Sequence, residues 1–270
     1  MALTFPLGAD SLTASASATL GTLGTKGTLI FSVYPTSFAA NQSIFYLHNG
    51  GTNGIVARLT TSGAFNLICA RTTSNIDVES AASSITLNAW NDIAVVWDTT
   101  GLSTDQKIYL GNWNTPFAVV GAYTTQSLGS GAALSFSAYT PRVGANATPA
   151  TPFVNGRIAY EQLYTRVLSV GEMQNIQMRR KALANCVAWW ELGQVGTATA
   201  SPDLSLNGIR LTTAGAPTPG VHDPRPMFRE ALGSHSMANY VAPVSGVSVT
   251  KRSARRRRAV AALAAMGWMR

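Results

Sequence analysis

From Thr28 onward the chain sets apolar residues against small polar ones in short runs, and clusters of Gly, Asn and Ser separate the runs. A period of two sends successive side chains to opposite faces, so each run predicts a half-buried antiparallel strand. The runs are Thr28 to Tyr34, Ser43 to His48, Ile55 to Thr60, Ala64 to Ala70, Asn91 to Asp98, Lys107 to Leu110, Ala133 to Ser137 and Arg157 to Tyr164. Cys186 to Leu192 and Ile209 to Thr213 follow. Between strands, His48-Asn-Gly-Gly-Thr-Asn-Gly54 and Thr60-Thr-Ser-Gly63 supply the positive-φ residues that tight hairpins need. Strands of this number and spacing predict an all-β sandwich or jelly roll.

One helix interrupts the pattern. Ser169-Val-Gly-Glu172 is a capping box that predicts its start, with Met173, Ile176 and Leu183 on one face. Arg179, Arg180 and Lys181 fall near its C-terminal end, where cations complement the helix dipole. Gly21-Thr-Leu-Gly24-Thr-Lys-Gly27 has glycines but neither phosphate-loop spacing nor a following helix, and reads as a turn.

Charge divides the chain more sharply than hydropathy does. Only 12% of residues are charged, about half the usual share, which favours strands and turns over charged helices. The last 20 residues, 251–270, carry +7 of the chain's +8 and no acid, which leaves 13 basic against 12 acidic residues in the rest. The basic balance therefore belongs to a tail. Three segments result: a β-sandwich over 1–215, an extended arm over 216–250 broken by Pro217, Pro219, Pro224 and Pro226, and a basic tail over 251–270. In the tail, Lys251, Arg252, Arg255, Arg256, Arg257 and Arg258 are expected to meet an acidic surface or nucleic-acid phosphates. Val260, Leu263, Met266 and Trp268, on a short Ala-rich helix, are expected to bury in a partner. That apolar segment is too short to span a bilayer.

A search for chemistry finds little. Cys69 and Cys186 have no C-x-x-C partner, which leaves two free thiols or one disulfide open. His48, His222 and His235 belong to no metalloprotease or nucleophile-elbow motif. Asp77-Val-Glu79 puts two carboxylates on one strand face, the minimum for glycoside hydrolysis. Asn49, Asn53, Asp77 and Glu79 are the candidate oxygen ligands if calcium is bound, and no other cofactor is expected. Tyr46, Trp113, Tyr123 and Tyr139 are the candidate aromatic platforms for sugar rings.

The run Asn88-Ala-Trp-Asn-Asp-Ile-Ala-Val-Val-Trp-Asp98, then Lys107-Ile-Tyr-Leu110, then Gly156-Arg-Ile-Ala-Tyr-Glu-Gln-Leu-Tyr-Thr-Arg-Val-Leu-Ser-Val-Gly-Glu-Met173 resembles the concanavalin A-like, laminin-G-like jelly-roll family in order and spacing. Trp189-Trp-Glu-Leu192 and Asn207-Gly208 are similar to a further strand pair of that family. The resemblance covers roughly 1–215 and implies a concanavalin A-like jelly roll in which Trp90, Trp97 and Tyr109 fill the space between sheets and the helix closes an edge. The family's three-acid glucanase pattern is incomplete here, because Asp77 and Glu79 lack the third acid. Such folds serve as lectins, adhesion modules, glycosidases and virion proteins.

The chain opens without a basic, apolar leader, so export is not expected. A non-enzymatic bacteriophage virion protein, such as a capsid decoration, reconciles this with an extracellular fold. It would be made in the host cytoplasm, displayed as copies on the particle, and docked to capsid or other virion proteins by its arm. The alternative is a lectin or adhesin that binds host-surface glycans, and a glycoside hydrolase comes after it.

Overall fold

The computed structural model describes residues 2–5, 10–49, 52–145, 153, 156–179, 181–192, 200–215 and 217–220. The chain divides into two units, Met1–Met227 and Phe228–Arg270, and every described residue belongs to the first. All ten tail residues expected to dock on a partner, Lys251 through Trp268, therefore lie outside the described residues, as do Arg180 and 221–250.

Two antiparallel sheets form the unit. The eight-stranded sheet runs β10 (Thr115–Val119), β9 (Lys107–Asn112), β8 (Asn91–Asp98), β3 (Lys26–Tyr34), β13 (Arg157–Tyr164), β1 (Ala2–Thr4) and β17 (Thr218–Gly220). Its eighth strand, β14 (Cys186–Glu191), pairs with the later part of β13. The nine-stranded sheet runs β11 (Tyr123–Ser127), β7 (Ile76–Ser80), β6 (Phe65–Cys69), β5 (Thr52–Leu59), β4 (Gln42–Asn49), β12 (Thr140–Val143), β2 (Ser11–Thr13), β16 (Leu211–Ala214) and β15 (Ala200–Ser201). Among the described strands β17 pairs only with β1, and Pro219 sits at that edge position, where proline is tolerated. The segment read as an arm thus begins with an edge strand of the sandwich.

One large apolar cluster fills the space between the sheets. Phe31 of one sheet meets Phe65 of the other at 5.8 Å between ring centroids, and Phe45 stacks on Trp190 at 6.4 Å. Trp97 lies here, fully buried, with its indole N–H donated to Leu23 O at 2.8 Å. A second cluster covers the outer face of the eight-stranded sheet, where Met173 and Ile176 of helix α1 (Val170–Arg179) pack on Ile30, Ala94, Val96, Tyr160 and Tyr164. Trp90 and Tyr109 join this outer cluster and not the inter-sheet core, because they fall on the opposite pleat from Ile93 and Ile108. The helix therefore roofs a sheet face, and it also closes the β10 edge, where Gln174 Nε2 donates to Phe117 O at 2.9 Å and Gln177 Nε2 to Thr115 O at 3.1 Å.

The capping box forms as expected: Glu172 N donates to Ser169 Oγ at 3.3 Å and Ser169 N donates to Glu172 Oε2 at 2.9 Å. The helix stops at Arg179, so Leu183 lies beyond it. Gln177 fixes its seat, accepting from Phe117 N at 2.9 Å and donating to Asp92 Oδ2 at 2.8 Å. Two further expectations are corrected. Ala133 to Ser137 is no strand but a loop with a single bridge at Ala133, and its apolar Leu134 and Phe136 pack down on the sandwich end. The glycine run at 21–27 is a 3-10 helix, Ala18–Gly24, leading into β3.

Candidate functional site

Each strand of the nine-stranded sheet has one face in the core, and the other carries the polar residues. On β7 the core takes Ile76 and Val78, so Asp77 and Glu79 share the outer face, half-buried. On β6 the core takes Phe65 and Leu67, which turns Asn66 and Ile68 outward. On β5, Ile55, Ala57 and Leu59 face in and Val56 and Arg58 face out.

Register converts these positions into a layout. One row across the face reads Arg142, Tyr46, Val56, Ile68, Asp77, and the next reads Ser43, Arg58, Asn66, Glu79, Thr125. Hydrogen bonds lock part of the second row to the first. Arg58 Nε donates to Asn66 Oδ1 at 2.9 Å, and Asn66 Nδ2 donates to Asp77 Oδ1 at 2.7 Å. Because Asn66 is 1% exposed, this bridge is pre-organised and not a solvent-side flicker. Three planar polar groups are thereby fixed beside an apolar strip of Val56 and Ile68.

At the other end of the first row, Tyr46 stacks on His48 with 5.2 Å between centroids and 15° between planes. Both sit beside Arg142. Burial pushes the Tyr46 hydroxyl up, with Arg142 opposing, while burial and then Arg142 push the His48 imidazole down, which favours its neutral form. Neither His48 ring nitrogen has a hydrogen-bond partner.

The sequence candidates separate on this framework. Asp77 and Glu79 do share a face, but Asn49 sits three strands and three residues away from Asp77. At about 4.8 Å per strand that is more than 14 Å, so these residues do not converge on one ion. Among the described residues no group of three or more His, Cys, Asp or Glu is placed to hold a metal. Of the aromatics, Tyr46 belongs to the face. Tyr139 is buried against Phe136, and the Tyr123 hydroxyl accepts from Ile108 N at 3.0 Å. Trp113 is 55% exposed at the β9–β10 turn of the other sheet. Cys69 and Cys186 are free thiols. Arg58 and Asn66 were missed in the sequence. Their signal was a charged and an amide side chain at outward positions of otherwise apolar strands.

Comparison with known proteins places the fold. No curated protein sequence matches the chain. Among solved structures, a candidate carbohydrate binding protein from Bacteroides ovatus is similar at a TM-score of 0.51 and 14% identity, over 80% of this chain and 60% of that one. The chain thus spans less than two thirds of that relative's length. A heptameric SAP-like pentraxin from Limulus polyphemus matches at a TM-score of 0.46 and 14% identity, over 65% of this chain and 81% of that one. The CBM40 of a Ruminococcus gnavus IT-sialidase matches at 0.42 and 16%, over 64% and 96%. The two-sheet sandwich is the architecture expected from the sequence resemblance, and the family pattern itself is matched over residues 7–174. The chain belongs to the concanavalin A-like lectin/glucanases superfamily.

Proposed function

We propose that this chain is a carbohydrate-binding domain of lectin type, which holds a glycan on the outer face of the nine-stranded sheet without cleaving it. The observation that carries the reading is the Arg58–Asn66–Asp77 bridge lying beside Val56, Ile68 and the Tyr46–His48 stack. A sugar presents hydroxyls at its edge and C–H groups on its face. Planar donors and acceptors held in place beside the half-buried Ile68, with Val56 and Tyr46 buried behind them, suit both. Membership in a superfamily that includes lectins supports it.

The test is a glycan array probed with the full chain, with and without calcium, followed by titration of the best ligand. Arg58→Ala is expected to weaken binding by about tenfold, the scale of one charge-assisted hydrogen bond. Trp113→Ala is expected to leave it unchanged. Silence on the array refutes lectin activity, and a hit indifferent to Arg58→Ala moves the site off this face.

A second element rests on the charge segregation alone. The +7 concentrated in 251–270 supports an anchor that fastens the domain to a larger assembly, with a phage particle as the reading we favour. Deleting Lys251 to Arg270 is expected to abolish incorporation into particles, and undiminished incorporation refutes the anchor.

A further inference from the structure

Glu161 carries a carboxyl group into the core between the sheets. The residue is 0% exposed, and neither Oε1 nor Oε2 has a hydrogen-bond partner. Its direction follows from register. On β13 it lies opposite Phe31 of β3 on one side and Trp190 of β14 on the other, and residues directly opposite share a face. Both belong to the inter-sheet cluster, as does Leu163 two residues along.

The surroundings on that face offer no compensation. From β3 come Leu29, Phe31 and Val33, from β14 come Ala188 and Trp190 with Leu192 just beyond it, and from the opposite sheet Phe45 stacks on Trp190. Trp190 has already donated its indole N–H to Ile209 O. Among the described residues the titratable side chains in or packed against this core are Cys69, Tyr139 and Tyr123, none of them a cation. The neighbouring Glu191 faces the other way, where it accepts from Trp189 Nε1 at 3.2 Å. An ionised carboxylate here would lose its hydration and gain no counter-charge, whereas the neutral acid forfeits far less.

We infer that Glu161 enters the core as the neutral acid, so that closing the two sheets over it takes up one proton and rising pH works against the fold. Burial alone pushes its pKa well above the ordinary carboxylate range. Since the folded value lies above the unfolded one, the contribution is intact below the unfolded pKa and is lost as pH climbs through the folded pKa. Across that window the unfolding equilibrium constant rises about tenfold per pH unit on account of this one group. The inference is independent of the glycan face, because Glu161 belongs to the other sheet and points inward.

Urea unfolding of the full chain between pH 4.5 and 9 tests it, with wild type set against Glu161→Gln and Glu161→Val. The ratio of wild-type to variant unfolding constants is expected to grow about tenfold per pH unit as pH rises above the ordinary carboxylate pKa, until the folded group ionises. Parallel profiles overturn the inference. Should both variants fail to fold, wild type supplies the answer through difference infrared spectra of carboxyl-labelled glutamate at pH 6, above the ordinary carboxylate range and well below that of the thiols. A protonated carbonyl stretch in the native state that vanishes on unfolding is expected. A fully ionised native spectrum overturns it.

Discussion

Glu172→Gln removes the charge at the centre of the helix start while keeping the side chain's shape. In the native protein Glu172 takes Arg166 in a forked pair, Oε1 to Nη2 at 2.7 Å and Oε2 to Nη1 at 3.0 Å, and also accepts from Ser169 N and Oγ. Arg166 in turn holds Ala184 O through Nε, and its own carbonyl accepts from Thr28 Oγ1, which ties the turn before α1 to β3. Arg166 first, then the Ser169 backbone, hold the Glu172 carboxyl down at about 2. Taken at face value, a depression from 4.5 to about 2 is worth about 3 kcal/mol of linkage. Both side chains are roughly a third exposed, at 29% and 36%, so solvent screening brings the expected figure to about 1 to 1.5 kcal/mol. For a domain of this size that is about 2–5 °C in melting temperature. The folded pKa is depressed, so the stabilisation is present above the ordinary carboxylate pKa and drains away as pH falls toward 2. Thermal melts of wild type and Glu172→Gln should therefore differ most at pH 7, and the gap should narrow by pH 3 and shrink in high salt. A gap that holds constant from pH 7 to pH 3, or no gap at pH 7, refutes the reasoning.

Two glycines should respond in opposite directions to alanine. At Gly27 a Cβ would come within 2.4 Å of Trp97 Cζ2, and Trp97 cannot retreat because it is fully buried and bonded to Leu23 O, so Gly27→Ala should cost about 1–3 kcal/mol by denaturant unfolding. At Gly171 nothing lies within 4 Å, so Gly171→Ala in the first turn of α1 should be neutral or stabilising by up to about 1 kcal/mol. The thiols offer a third check: burial pushes Cys69 and Cys186 each up to about 12, which leaves about one thiolate in ten thousand at pH 8. Maleimide labelling followed by mass spectrometry should find both slow in the native protein and fast in urea, and rapid native labelling of Cys69 would contradict its burial.

The strands legible in the sequence are those with the most to bury. β3 and β8 are buried almost throughout, since the inter-sheet core covers one face and α1 with its neighbours roofs the other, and this makes their apolar runs long and unmistakable. The strands that went unread are short, and two of them are also mostly exposed or polar. β10, as Thr-Pro-Phe-Ala-Val, buries Phe117 alone, and β11, as Tyr-Thr-Thr-Gln-Ser, has no fully buried residue. Such strands exist because a neighbour offers unpaired backbone groups, which their own side chains do not announce. The candidate site divides in the same way. That Asp77 and Glu79 share a face needs only the period of two, but joining Asn66 to Asp77 and Arg58 needs the register of β5, β6 and β7, which is long-range information.

Glu161 shows how far a small local departure can carry. Counting by twos from Ile158, which faces the inter-sheet core, puts Tyr160, Gln162 and Tyr164 inward and sends Glu161 to the opposite face. The pairing of β13 with β3 breaks between Ile158 and Tyr160, and this bulge inserts one extra residue. Beyond it the parity inverts: Tyr160 and Tyr164 go to the helix-covered side, while Leu163 and Glu161 turn into the core. One extra residue at Ala159, without a partner on β3, is thus what buries a carboxyl group among Phe31 and Trp190. Bulges leave no dependable mark in a single sequence, and for that reason the residue most out of keeping with its surroundings is also the one that alternation places on the wrong face.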